Sequence, residues 1–235
     1  MYRVIRSIDR WTDYALLLIF LLLFLIGFYT MYDTMLIYDA AKSDDLRQFK
    51  PFYNERGEFV WDMSALTDDV VAWLTVDDTT IDYPVMQGID NTEYLNKSPY
   101  GKYSLSGSLF LDSRNSPDFS DDYSLIYGHH MQYAKMFGAL DEFLDRDYFD
   151  THRTGTLITE TGYVYHIEFF ACVEADASVR AIFAPTETYD TMAYVKEHAT
   201  FYREPAGEHL VALSTCKFPQ TSERIIVFGV LKDEA

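Results

Sequence analysis

A mainly β domain, closed as a barrel or folded as a sandwich and hung from one apolar N-terminal helix, is what this 235-residue sequence predicts. Two observations carry the expectation. From Thr80 onward the chain breaks into short β-patterned runs at 81–85, 108–111, 123–127, 156–158, 163–172, 210–215 and 224–231, with Gly, Pro, Asn and Asp between them. Ahead of them, residues 14–32 carry no charge and almost no polar group, a stretch of about 28 Å as a helix against a hydrocarbon core of about 30 Å.

The N-terminal run reads as a membrane anchor. Trp11, Tyr14, Tyr29 and Tyr32 lie towards its ends, where amphipathic rings favour the interface. Arg3, Arg6 and Arg10 precede it and Asp33, Asp39, Asp44 and Asp45 follow, so residues 1–13 are expected in the cytoplasm and the rest outside. A cleaved leader is the competing reading. Its apolar core would be about 7–15 residues and end in small residues, whereas this run is longer and leaves through Met31-Tyr32-Asp33-Thr34.

Residues 33–60 are expected to be a helical stalk, with apolar spacing over 34–52 (Leu36, Tyr38, Ala40, Leu46, Phe49) and Pro51 as a stop. A globular domain then occupies 61–235. Its first element is expected to be a short helix over 64–73, interrupted by Thr67-Asp68-Asp69. Two helical insertions are expected among the strands. Residues 134–145 carry Met136, Phe137, Leu140 and Leu144 on one face, and 186–203 form a longer helix between Pro185 and Pro205.

Charge and cysteine content narrow the function. With 19 basic and 37 acidic residues the net charge is −18, which excludes nucleic acid as a partner, since phosphate neutralisation needs the opposite sign. Such a surface stays solvated, and it also attracts cations such as a free amine. Of the two cysteines, Cys172 lies inside the strand-like run 163–172 and reads as a small buried hydrophobe rather than half of a disulfide.

Cys216 is different. It ends the run Leu210-Val211-Ala212-Leu213-Ser214-Thr215, and Arg224 opens the next, with a seven-residue loop holding Pro219 between them. If the two strands pair antiparallel, Cys216 and Arg224 face each other with Cβ atoms about 5 Å apart. A thiol beside a guanidinium is a place where a thiolate is stabilised and an oxyanion can be held.

A thiol nucleophile also needs a proton-transfer partner. Tyr127-Gly128-His129-His130-Met131 leaves a β-run through a glycine, and neighbouring residues in extended chain point oppositely, so only one of these histidines can face the thiol. Spacing alone does not choose between them. His129, His130, His152 and His166 lack a metal-ligand pattern, and no metal or cofactor is expected.

These residues resemble a known family. Leu213-Ser214-Thr215-Cys216 with Arg224 is similar to the sortase signature Leu-x-Thr-Cys followed by the catalytic arginine. Tyr127–Met131 with Met136-Phe137-Gly138-Ala139-Leu140 resembles the class B sortase block around the catalytic histidine. So do Ile81-Asp82-Tyr83-Pro84-Val85-Met86-Gln87-Gly88, Asp90-Asn91-Thr92-Glu93-Tyr94-Leu95 and Gly107-Ser108-Leu109-Phe110-Leu111-Asp112. The similarity runs in order over about 60–231. Ala212 stands where the family often has Thr, and Lys217 where class B members often differ.

The resemblance implies an eight-stranded barrel with N-terminal helices and the long 186–203 helix inserted before the strand carrying Cys216. It selects His129 as the catalytic histidine beside Cys216 and Arg224, and places Asn91, Leu95, Tyr127, Ser214 and Thr215 along a substrate groove. The implied reaction is transpeptidation. Cys216 cleaves the sorting signal of an exported protein after its Thr, and an amine of the cell-wall precursor takes the acyl group; the alternative acceptor is a pilin lysine, in a pilus-polymerising enzyme. The enzyme is then single-pass at a Gram-positive type surface. The competing functions are a non-catalytic surface barrel in which Cys216 is a core thiol, and a hydrolytic cysteine protease.

Overall fold

The computed structural model describes residues 2–41, 45–218 and 221–233, in two compact units divided after Ala40. The first unit is α1 (Tyr2–Ala40). Within it Trp11–Asp39 is long and apolar enough to cross a bilayer, and the side chains from Trp11 to Leu36 are exposed. The helix expected over 34–52 is thus the end of α1. Its middle, 42–44, lies outside the described residues, as do Pro219 and Gln220 of the loop after Cys216.

The second unit begins with a pinned segment rather than a continued helix. After one 3-10 turn at Arg47–Phe49, Arg47 and Lys50 both close on Asp82, at 3.0 and 2.8 Å. Asp82 is nearly buried and also accepts from Trp73 Nε1 at 2.7 Å. Burial opposes its ionisation, but the Lys50 and Trp73 donors outweigh it and hold the carboxyl below the usual range. A hairpin follows, β1 (Phe52–Tyr53) and β2 (Phe59–Val60), so among its described residues the segment 33–60 is helical to Ala40 and again in the turn Arg47–Phe49, and ends as a hairpin rather than a helical stalk.

Among the described residues nine strands build the rest: β3 (Val70–Val76), β4 (Asp82–Met86), β5 (Leu109–Leu111), β6 (Tyr123–Tyr127), β7 (Thr154–Thr159), β8 (Val164–Asp176), β9 (Ala199–Tyr202), β10 (Leu210–Cys216) and β11 (Glu223–Asp233). The order β11-β10-β6-β5-β4-β3-β7-β8 closes through β8–β11 pairing into an eight-stranded barrel. The thirteen-residue β8 makes closure possible. One edge pairs with β11 along its whole length, while the other takes β7 over Val164–Glu168 and then β9 at Ala171–Val173.

The helices expected over 64–73 and 186–203 differ from expectation, each for a local reason. The expected helix over 64–73 is a turn followed by β3, because Val70-Val71-Ala72-Trp73-Leu74-Thr75-Val76 is a short apolar run buried on both faces, which periodicity does not separate from a helix. The inserted helix is present but only eight residues long, α4 (Thr191–His198). The Asp190 carboxylate accepts from Ala193 N–H and caps its start, and the free edge of β8 recruits its expected end as β9. Residues 134–145 are a loop with Ala134 and Met136 at positive φ, then a 3-10 helix, Gly138–Leu144. Two short helices complete the chain, α2 (Arg146–Thr151) and α3 (Arg180–Phe183).

There are two cores. Val211, Leu213, Ile225 and Val227 face the barrel interior with Cys172, while Leu210, Ala212, Ile226 and Phe228 pack outward under Ile182 of α3 and Val195 of α4. Alternate residues of β10 therefore serve opposite sides, and the outward set, continued by the period of two, ends at Ser214 and Cys216.

Candidate active site

The barrel brings three distant residues to one end. Strands β6 and β10 run parallel, in register through Tyr127 and Ser214. Two residues beyond these partners stand His129 and Cys216. Strand β11 returns antiparallel and sets Arg224 directly opposite Cys216. The junction is pinned by Gly128 N–H donating to Ser214 O at 3.1 Å and Thr215 Oγ1 donating to Gly128 O at 2.9 Å. Gly128 has to be glycine, since a Cβ there would meet Leu109 Cδ2 at 2.4 Å and Phe137 Cδ2 at 2.6 Å.

All eight residues singled out from the sequence line one cavity of about 390 Å³: Asn91, Leu95, Tyr127, His129, Ser214, Thr215, Cys216 and Arg224. Cys216 is a free, partly exposed thiol. Arg224 Nη1 donates to Thr221 O at 2.7 Å and Glu223 O at 3.1 Å, which fixes the guanidinium and leaves Nε and Nη2 without a partner among the described residues. The His129 ring bonds through Nε2 to Leu95 O at 2.7 Å. His130 lies outside the cavity, with Nε2 on Asp141 Oδ2 at 2.6 Å. The other thiol, Cys172, is buried, and burial pushes it up to about 12, so it stays protonated at neutral pH.

The sequence of this domain, compared with known proteins, matches the sortase domain model over residues 74–232. The chain belongs to the sortase family. It is 33% identical over 180 residues to sortase B of Listeria monocytogenes, covering 72% of each chain. A Streptococcus pyogenes class B sortase involved in pilus biogenesis superposes with a TM-score of 0.67 at 43% identity, over 73% of this chain and 96% of that one. The sortase B from the type II pilus of Streptococcus pneumoniae superposes at 0.59 with 32% identity, over 71% and 94%. The chain is a class B sortase, a cysteine transpeptidase that works on sorting signals and amine nucleophiles.

Sequence reasoning misses part of this sortase's cavity. Phe110, Arg114, Ala177 and Phe183 also line it. Phe110 gets there by pairing with Tyr127 across β5–β6, their rings stacked at 5.2 Å. Ala177 and Phe183 come from the connection after β8. Phe110 lies within the family-like block 107–112, which is the only signal the sequence holds for it.

Beneath the cavity wall sits Asp112, fully buried. Its carboxylate accepts from Arg114 Nε and Nη2 at 2.8 and 2.7 Å, Tyr127 Oη at 3.0 Å and Asn91 Nδ2 at 2.8 Å. Burial opposes its charge, and the Arg114 guanidinium overcomes that and keeps the carboxyl low. One carboxylate thus orients three cavity-lining side chains. Asp112→Asn withdraws the charge that Arg114 matches and offers it an amide N–H, a loss of about 1–3 kcal/mol for a buried partner left unmatched. The expected outcome is a raised KM for a sorting peptide with a smaller change in kcat, measured by steady-state kinetics.

Proposed function

We propose that Cys216 is the nucleophile, His129 the acid and base and Arg224 the oxyanion donor of a sorting transpeptidase. The observation that carries the reading is the meeting of the three at one strand end, Arg224 in register with Cys216 and His129 beside them on the parallel neighbour. The Cys216 thiolate attacks the scissile carbonyl of the sorting signal. Arg224 receives the developing charge through its unpartnered N–H groups. His129 gives a proton to the departing amine, and the C–N bond breaks to leave a thioester. An incoming amine then attacks the thioester, loses its proton to His129 and releases the thiolate. Asn91, Leu95, Tyr127, Ser214 and Thr215 are the proposed walls of the acyl-donor groove. All five line the same cavity as Cys216, His129 and Arg224, which supports this.

Arg224→Lys keeps the charge but is expected to lose turnover by about 10²–10³-fold, as for one oxyanion donor, because an ammonium on a flexible stem does not reproduce the planar fork. Near-normal kcat would mean that Arg224 acts only as a positive field.

A pilin lysine is the favoured acceptor over a wall-precursor amine, on the 43% identity to the Streptococcus pyogenes class B sortase involved in pilus biogenesis. The proposed layout is a cytoplasmic 1–13, an anchor at 14–32, a linking segment at 33–60 and an external catalytic domain at 61–235, supported by the apolar helix and the arginines ahead of it. Incubating the full chain in detergent micelles with a sorting-peptide library, and reading the acyl adduct on Cys216 by intact mass, tests the first half-reaction. Adding a lysine-bearing pilin fragment or a wall-precursor amine tests the second. No adduct with any peptide, or an adduct on Cys172, overturns the assignment. Discharge by the wall-precursor amine alone overturns the pilin reading.

A further inference from the structure

The His129 ring has one hydrogen-bond partner among the described residues, and that partner decides which nitrogen works. Nε2 lies 2.7 Å from Leu95 O, while Nδ1 has no partner among the described residues. A carbonyl oxygen has lone pairs and no proton, so the nitrogen facing it carries the hydrogen. The neutral ring is therefore the Nε2–H tautomer, and the lone pair sits on Nδ1.

The carbonyl is itself built in. Leu95 ends a 3-10 turn, Glu93–Leu95, whose middle residue Tyr94 is fully buried. Tyr94 Oη bonds to Asp69 and to Thr67, and Tyr94 O accepts from Ser108 N–H at 3.0 Å. Among the described residues Leu95 O has no backbone donor of its own, which leaves it to the histidine. Gly107 makes the room. Its φ is +56°, and a Cβ there would lie 2.5 Å from Leu95 O and 2.6 Å from Tyr94 O. On the other side the histidine backbone is held by Phe137 N–H donating to His129 O at 3.1 Å.

We propose that Leu95 is the positioning residue of His129: its backbone carbonyl, in space left open by Gly107, fixes the Nε2–H tautomer so that Nδ1 handles every proton of the reaction. The inference rests on His129 being the acid and base proposed above. In the first step Nδ1–H of the imidazolium goes to the departing amine as the C–N bond breaks and the thioester forms. In the second, the Nδ1 lone pair takes the proton of the incoming amine as the new amide forms and the C–S bond breaks. Nε2–H stays on Leu95 O throughout. The orienting group is a neutral dipole rather than a third titrating side chain, and it does the tautomer-fixing that a carboxylate does in the serine-protease triad.

The test uses the full chain in detergent micelles with nitrogen-15 histidine, His129→Gln serving to identify the His129 signals. Two-bond proton–nitrogen spectra above the histidine titration are expected to show Nε2 protonated and Nδ1 bare, and a protonated Nδ1 overturns the inference. Gly107→Ala displaces the carbonyl, and a misplacement on the ångström scale costs on the order of 10²-fold in rate. The expected result is that loss in kcat, with KM little changed and the single tautomer replaced by a mixture. Gly57→Ala, also at positive φ (+74°) but with open space around it, is expected to turn over normally. If His129→Gln is inactive while Gly107→Ala keeps both turnover and tautomer, the positioning role falls and the acid–base role stands. If His129→Gln keeps its activity, both fall.

Discussion

Cys216→Ala is expected to abolish acyl-enzyme formation outright, with no adduct by intact mass at any peptide concentration and an unchanged thermal transition. Both parts follow from the position of the side chain. Its sulfur lines the cavity and is partly exposed, so removing it leaves no core void, and Leu213 and Thr215 keep their inward packing. No second thiol can substitute. Cys172 is buried in the barrel interior, and its proton is held until about pH 12. Cys172→Ala is expected to retain turnover while losing stability, since a fully buried sulfur is replaced by a smaller group. A thiol-alkylating reagent at neutral pH should accordingly label wild type once and Cys216→Ala not at all.

His129→Ala is the second large effect, a loss of about 10²–10⁴-fold in kcat/KM for a positioned acid–base group. His130→Ala should cost far less. The two neighbours differ by environment. His129 faces the cavity and Leu95 O, whereas His130 is tied to Asp141 beyond the wall. Stability ought to rank them the other way, because His130→Ala leaves the Asp141 carboxylate without its partner, whereas His129→Ala frees Leu95 O in an open cavity where water can take the place of the ring. Kinetics and thermal melts on the same pair of variants check both rankings. If His130→Ala is the inactive one, the strand-end register that sets His129 beside Cys216 does not govern the chemistry.

How much of this is legible in the chain depends on the range of the interaction. Cys216 and Arg224 can be paired from sequence because a hairpin is local, and a short loop between two apolar runs sets the register. His129 is 87 residues away from Cys216, and only the parallel β6–β10 pairing joins them. Residue types and spacing leave His129 and His130 equivalent, and only the family-like block chooses between them. Arg114 is not legible at all, because its place in the wall comes from a buried carboxylate that strand pairing brings beneath Tyr127 and Asn91. The helix boundaries fail for a related reason. Residues 199–202 have helical spacing, but the open edge of β8 offers backbone partners that local propensity does not weigh.

The alternation along β10 has a further consequence. Val211 and Leu213 are committed to one core and Leu210 and Ala212 to the other, with Cys216 at the end of the second series. A slip of one residue against β6 or β11 would exchange the two series and turn the thiol toward the barrel interior. Such a molecule would be fully inert rather than slow, with almost the same strand content and mass. Active-site titration of Cys216 thus counts correctly threaded barrels, and the titrated fraction of a preparation is a direct measure of its folding fidelity.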